Sequence, residues 1–171
     1  MRQAQMDEVN IQHEQPGDNE QQYMTFLLAG EIYGVDILRV REIRGWERAT
    51  RVPNAPVYMK GVINLRGLIV PVFDLRERFQ LDAENHHDAV VIILRVQSAE
   101  GEQEMGVIAD AVSEVLKTDS SMLRAPEFGG RVDTRFMEGL VPSGERMVML
   151  LNVDKLLGGS VEHSADGMAV A

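Results

Sequence analysis

A chain of 171 residues with 44% hydrophobic side chains can bury one large core or two small ones. Its 27 acidic against 17 basic residues give a net charge of −10, and the arginines form no stripe, which excludes the counterion-releasing surface that a nucleic-acid partner needs. The absence of cysteine rules out disulfides, thiol catalysis and thiolate metal sites, and no apolar run approaches a bilayer's thickness, so the chain reads as cytoplasmic, without direct membrane contact.

Residues 1–21 are rich in Gln, Glu and Asn with no aromatic before Tyr23, too polar to offset ordering entropy, and read as a flexible arm. Apolar and β-branched runs bounded by Gly, Pro or Asp then predict strands over Thr25–Ala29, Glu31–Ile37, Val62–Leu65, Leu68–Phe73, Val90–Val96, Met105–Ile108 and Met147–Val153. In Ile37–Ile43, Ile37, Val40 and Ile43 also fit a helical face, and both readings stay open. Pro71 cannot donate to a ladder and predicts a sheet edge or bulge. Short helical turns are expected at Leu75–Phe79 and Asp154–Leu157, with Asp74 and Asp154 as caps. Adjacent His86 and His87, beside Glu84 and Asp88, suggest a metal only weakly, because neighbours in sequence point apart; no metal site is assigned. Gly158–Ala171 reads as a second flexible tail.

A twofold repeat organises these elements. Gly34-Val35 is followed by Val40, Glu42 and Ile43, and Gly106-Val107 by Val112, Glu114 and Val115 at the same offsets; Gly61 precedes Phe73-Asp74-Leu75 as Gly139 precedes Leu151-Asn152-Val153. With no long helix to cover a sheet face, closure removes the strand edges, so an all-β protein of two small barrels is expected. The first is placed at about 22–81 and the second at about 90–157. In such barrels alternate residues face inward, which makes Phe26, Leu28, Val35, Val70, Val72, Ile92 and Leu94 core candidates.

Catalytic motifs are missing: there is no nucleophile elbow, Walker loop, dinucleotide fingerprint or zinc-protease signature. Asp36, Asp74 and Asp110 lie beside apolar strands with no His or Lys pattern to accompany them, so turn or capping roles outweigh acid–base work. The reading is a non-enzyme without a cofactor; a small hydrolase using Asp36 or Asp74 is the remote alternative.

The densest signal is Gly61–Leu75, GVINLRGLIVPVFDL, two apolar strands around an Arg-Gly turn. With Tyr33-Gly34-Val35-Asp36-Ile37, Val40-Arg41-Glu42-Ile43-Arg44-Gly45, Asn64-Leu65-Arg66-Gly67, Pro71-Val72-Phe73-Asp74-Leu75, Ala125-Pro126-Glu127-Phe128 and Asn152-Val153-Asp154-Lys155-Leu156-Leu157, the chain over 22–157 resembles the CheW family of chemotaxis coupling proteins. That resemblance implies two SH3-like five-stranded barrels packed side by side, with a groove between them. It also implies an adaptor whose partners are the regulatory domain of a histidine kinase and the cytoplasmic hairpin tip of a chemoreceptor. The alternative within the fold is a detached kinase regulatory domain or a coupling domain once linked to a receiver. The resemblance places Val40, Glu42, Ile43, Gly61, Val62, Arg66 and Val112 at partner-binding positions. On their own terms Glu42 and Arg66 are either solvent-facing charges or polar members of an apolar surface, while Val40, Ile43, Val62 and Val112 are equally candidates for barrel core. Trp46 either anchors an interface or covers a barrel end.

Overall fold

The computed structural model describes residues 20–82, 88–126 and 134–166, with side chains as far as Gly159. Its elements are β1 (Glu20–Leu28), β2 (Glu31–Asp36), a single 3-10 turn (Ile37–Arg39), β3 (Val40–Gly45), β4 (Met59–Leu65), β5 (Leu68–Asp74), α1 (Leu75–Arg78), β6 (Val90–Ser98), β7 (Gly101–Ala109), β8 (Ala111–Asp119), β9 (Met137–Ser143), β10 (Arg146–Leu151) and α2 (Val153–Asp166). All seven expected strands are present. The ambiguous segment divides: Ile37–Arg39 is helical, with the Asp36 carboxylate accepting from Leu38 N at 2.9 Å, and the strand begins at Val40. Two strands, β8 and β9, have no counterpart in the sequence reading.

The strands form two five-stranded sheets, β8-β1-β2-β10-β9 and β3-β6-β7-β5-β4, hereafter barrel A and barrel B. This corrects the sequential division at about 81–90. Barrel A takes its first two strands from the N-terminal half and three from the C-terminal half, and barrel B does the converse. The repeat is real, since advancing each label by five turns one sheet order into the other. What differs is that each half exchanges its last three strands. The chain crosses between sheets at Ile37–Arg39 and again at Asp110, and the parallel pairings Gly34↔Leu150 and Val72↔Gly106 lie at equivalent places in the two barrels.

Packing follows from this exchange. Barrel B encloses Leu65, Val70, Val72, Val91, Ile93 and Ile108, and barrel A encloses Tyr23, Val141, Val148 and Leu150. A third cluster lies between them and draws on both sheets, including Met24, Phe26, Tyr33, Phe73, Ile92, Leu94, Leu151, Leu156 and Leu157. All seven core candidates are buried, but only Val70 and Val72 face a barrel interior. Phe26, Leu28, Val35, Ile92 and Leu94 face the other barrel. The apolar run of β6 has both faces buried, Val91 and Ile93 inward, Ile92 and Leu94 toward barrel A. Pro71 sits on an interior strand, one residue before β5 begins pairing with β7 at Val72, so its missing N–H interrupts no ladder there.

Both ends differ from expectation. Glu20 and Gln21 already pair with Asp119 and Thr118, so the strand begins two residues inside the proposed arm; residues 1–19 lie outside the described residues. The C-terminal tail is helical through Asp166. Its Gly-Gly pair reads as a breaker but serves close packing: a Cβ on Gly158 would lie 2.9 Å from the Gln97 carbonyl oxygen, so glycine lets α2 approach β6. Asp74 caps α1, accepting from Arg76 N at 3.0 Å. Asp154 does not cap α2; Asn152 Oδ1 accepts from Lys155 N at 3.1 Å instead, and Asp154 turns toward Arg39.

Candidate docking site

The hairpin of β4 and β5 closes on two residues, Arg66 and Gly67, with φ of +52° and +86°. Two positive φ values at a two-residue connection make the turn whose twist matches that of its strands, and Asn64 Oδ1 locks it by accepting from Gly67 N at 2.9 Å. Asn or Gly is the residue such a turn favours at its first central position; an Arg there is held against backbone preference, which points to a use for its side chain. That side chain is 74% exposed and reaches across to β3, where Nη2 donates to Glu42 Oε2 at 2.8 Å. Arg44 approaches the other oxygen of Glu42 at 3.7 Å. Glu42 and Arg66 thus do pair, and the carboxylate is held between two guanidinium groups.

Exposed apolar residues lie next to this pair along the chain: Leu68 and Ile69 just past the turn, with Ile69 74% exposed, and Ile43, which follows Glu42 but points to the opposite face of β3. Leu68 and Ile69 read in sequence only as strand, because alternation does not say that the hairpin's outer end projects past its sheet partners. Val62 is half-buried on β4 and pairs with Thr50 through 2.8 and 2.9 Å backbone hydrogen bonds. Trp46 packs its side chain against the barrel B core, so it covers a barrel end, and its backbone N–H donates to Ala89 O at 2.9 Å. It also lines a cleft of about 340 Å³ with Arg44, Arg48, Val62, Ile63 and Asn64.

The remaining expected positions behave differently. Val40 and Val112 occupy equivalent places near the start of the strands that enter the opposite barrel, and both pack on the shared core. Val112 therefore lies in barrel A, apart from the others. Gly61 is buried at a bulge with φ of +140°, and a Cβ there would sit 2.2 Å from the Thr50 carbonyl oxygen. Its role is in the backbone. Gly61→Ala is expected to lower stability by more than about 2 kcal/mol, from strain and a clash with backbone, measured as a fall in denaturant midpoint. A midpoint within experimental error of the wild type would make Gly61 a contact residue instead.

A separate apolar cavity of about 380 Å³ opens where barrel A meets α1, lined by Tyr33, Phe79, Phe136, Met137, Met149 and Leu151 among others. Arg78 stands at its edge, its guanidinium 4.7 and 4.9 Å from the ring centroids of Tyr58 and Phe136. Below lies a charged group that the sequence reading missed. Arg76 is 1% exposed and forks onto Asp74, 0% exposed, through two 3.1 Å contacts, and donates to Asp110 at 2.6 Å. Burial works against the Arg76 charge, but Asp74 and then Asp110 outweigh it and raise its pKa. Asp36, Asp74 and Asp110 are thus cap, ion-pair partner and junction residue. Among the described residues no group of three or more His, Cys, Asp or Glu could hold a metal ion. His86 and His87 lie outside those residues. No described helix is long and apolar enough to cross a membrane.

Comparison with known proteins agrees with this architecture. The sequence model of the CheW-like domain matches residues 22–160. Similar proteins include the chemotaxis protein CheW of Klebsiella aerogenes, 41% identical over 151 residues, covering 87% of this chain and 89% of that protein. Another is the chemotaxis protein CheW of Bacillus subtilis, 31% identical, covering 83% and 90% respectively. Among solved structures, the scaffolding protein TtCheW from Thermoanaerobacter tengcongensis superposes with a TM-score of 0.74 at 33% identity, covering 84% of this chain and 90% of that one. With the family model matching residues 22–160 and relatives above 30% identity covering 83% and 87% of its length, this chain belongs to the CheW-like domain family.

Proposed function

We propose that this protein is a non-enzymatic adaptor that couples chemoreceptor tips to a chemotaxis histidine kinase. The observation that carries this reading is the hairpin tip, where an Arg held in a left-handed conformation pairs with Glu42 beside exposed Leu68 and Ile69. Rigid barrels, an apolar patch and a central ion pair suit recognition of another folded barrel, and the kinase's regulatory domain is the partner assigned to this face. The junction cavity, apolar and lined by aromatic and Met side chains, suits the ridge of a helix, and the receptor's helical hairpin is assigned there. Recruitment from the cytoplasm to membrane receptors then follows from partner contacts alone.

Arg66→Ala is expected to leave the melting curve within about 0.5 kcal/mol of wild type, because the side chain fills no core space. Its loss should weaken binding to the isolated kinase regulatory domain by about 2 kcal/mol or more, as for an interface anchor, while a receptor-tip fragment binds unchanged. Calorimetry with both fragments, repeated for Glu42→Ala and the double variant, reads the outcome. Kinase-domain binding that survives Arg66→Ala undiminished sinks the assignment of this face.

A further inference from the structure

The inter-barrel junction carries two ion-pair clamps at equivalent places with their charges inverted. On one side Arg76, the second residue of α1, donates to Asp110 at the β7–β8 crossover, and Asp110 Oδ2 accepts from Ala29 N at 2.8 Å in the other barrel. On the other side Asp154, the second residue of α2, accepts from Arg39 at the β2–β3 crossover at 2.7 and 3.1 Å, and from Gln97 N in the other barrel at 2.8 Å. The surroundings are unequal. Arg76 is buried and backed by the fully buried Asp74, so only the Asp110 end of its clamp, 34% exposed, is open, whereas the side chains of Arg39 and Asp154 are both open, 31% and 29% exposed. Solvent and salt reach both partners of the second pair but only one partner of the first, Asp110.

The exposed clamp is also under electrostatic load. Asp36 and Glu138 share its small recess with Asp154, so three carboxylate residues and Arg39 line one recess. Partial burial, followed by the charge of Asp36, pushes the Glu138 carboxyl above the usual carboxylate range, while Arg39 and Lys155 pull it down. Leu151 lines both this recess and the apolar junction cavity.

We propose that the junction is a one-sided hinge, in which the Arg76–Asp110 clamp is the fixed pivot and the Arg39–Asp154 clamp is a salt-sensitive latch that sets the angle between the barrels. Leu156 and Leu157 stay in the shared core, so the movement is a change of angle and not a separation. Release of the latch leaves three like charges with only Lys155 nearby to offset them, which loosens the recess and displaces Leu151 at the wall of the apolar cavity.

The two clamps carry their own reporters, the amides of Gln97 and Ala29, each on an exposed residue and each donated to one clamp carboxylate. In the full chain without partners, hydrogen exchange at Gln97 is expected to quicken about two- to fivefold between low and high salt, the range for a partly exposed pair, while Ala29 changes less because Arg76 stays buried beside Asp74. Arg39→Gln should produce that quickening at low salt and abolish its salt dependence. Asp154→Asn, which removes one repelling charge and keeps an acceptor oxygen, should produce less. Because the chain has no cysteine, nitroxides placed through Lys117→Cys in barrel A and Val57→Cys in barrel B report the angle directly, and their distance distribution should broaden in Arg39→Gln. Equal salt response at Gln97 and Ala29, or an unchanged distance distribution in Arg39→Gln, overturns the hinge.

Discussion

Expressed alone, the fragment Met1–Asp82 is expected to show no cooperative melting transition, and the fragment from residue 83 onward likewise. Two self-contained barrels joined by a linker would each survive such a cut. Here the cut leaves β1 and β2 without β8 and β10, and β3 and β5 without β6 and β7, so each sheet loses two of its four strand pairings. It also exposes both sides of the shared core, to which each half contributes large apolar residues: Phe26, Tyr33 and Phe73 from one, Ile92, Leu94 and Leu156 from the other. Neither fragment retains a layer against which to bury these faces, and the unpaired edges invite aggregation. Mixed and refolded together, the fragments are expected to recover a dispersed amide spectrum, because complementary strands are what each lacks. A native-like, cooperative melt of Met1–Asp82 by itself would contradict the exchanged topology.

The exchange explains why the sequence showed the repeat but misassigned the barrels. Equal spacing of Gly34, Val40 and Glu42 with Gly106, Val112 and Glu114 is the same whether each half closes on itself or swaps its last three strands with its twin. The decision lies in short crossovers, Ile37–Arg39 and Asp110, whose direction no periodicity encodes. One legible signal was passed over. The run Val90–Val96 is apolar on both faces, which a barrel strand with one solvated face would not be, and this marks β6 as lying between two cores. Strands β8 and β9 escaped for the opposite reason: exposed Ser113, Glu114, Val115 and Lys117 at a sheet margin blur alternation, and β9 carries Gly139 and Pro142. The hairpin tip was legible because turn chemistry is local, whereas the Arg66–Glu42 contact joins residues far apart in the chain and became visible only with the strands in place.

Arg76→Ala is expected to be the most damaging single substitution at a charged residue, although Leu-Arg-Glu-Arg in sequence resembles the solvated face of a short helix. The side chain is as buried as any core leucine, and its guanidinium satisfies both oxygens of Asp74 together with Asp110. A buried ion pair is weak evidence for net stabilisation, since the Coulomb gain is offset by desolvation of both charges. Removing one partner is a different matter. Arg76→Ala strands the Asp74 carboxylate, 0% exposed, without its counterion and opens a cavity beneath the junction; the expected cost is about 3–5 kcal/mol. Arg76→Lys keeps the charge but replaces a planar fork with a point donor that cannot reach three oxygens in that geometry, so an intermediate loss is expected. Arg76→Met with Asp74→Asn removes both charges and most of the desolvation cost, and should recover a large part of the stability lost by Arg76→Ala. Denaturant midpoints at constant slope order the four proteins. If Arg76→Ala costs less than about 1 kcal/mol, or the uncharged pair is no more stable than Arg76→Ala, the uncompensated carboxylate is not what holds this junction.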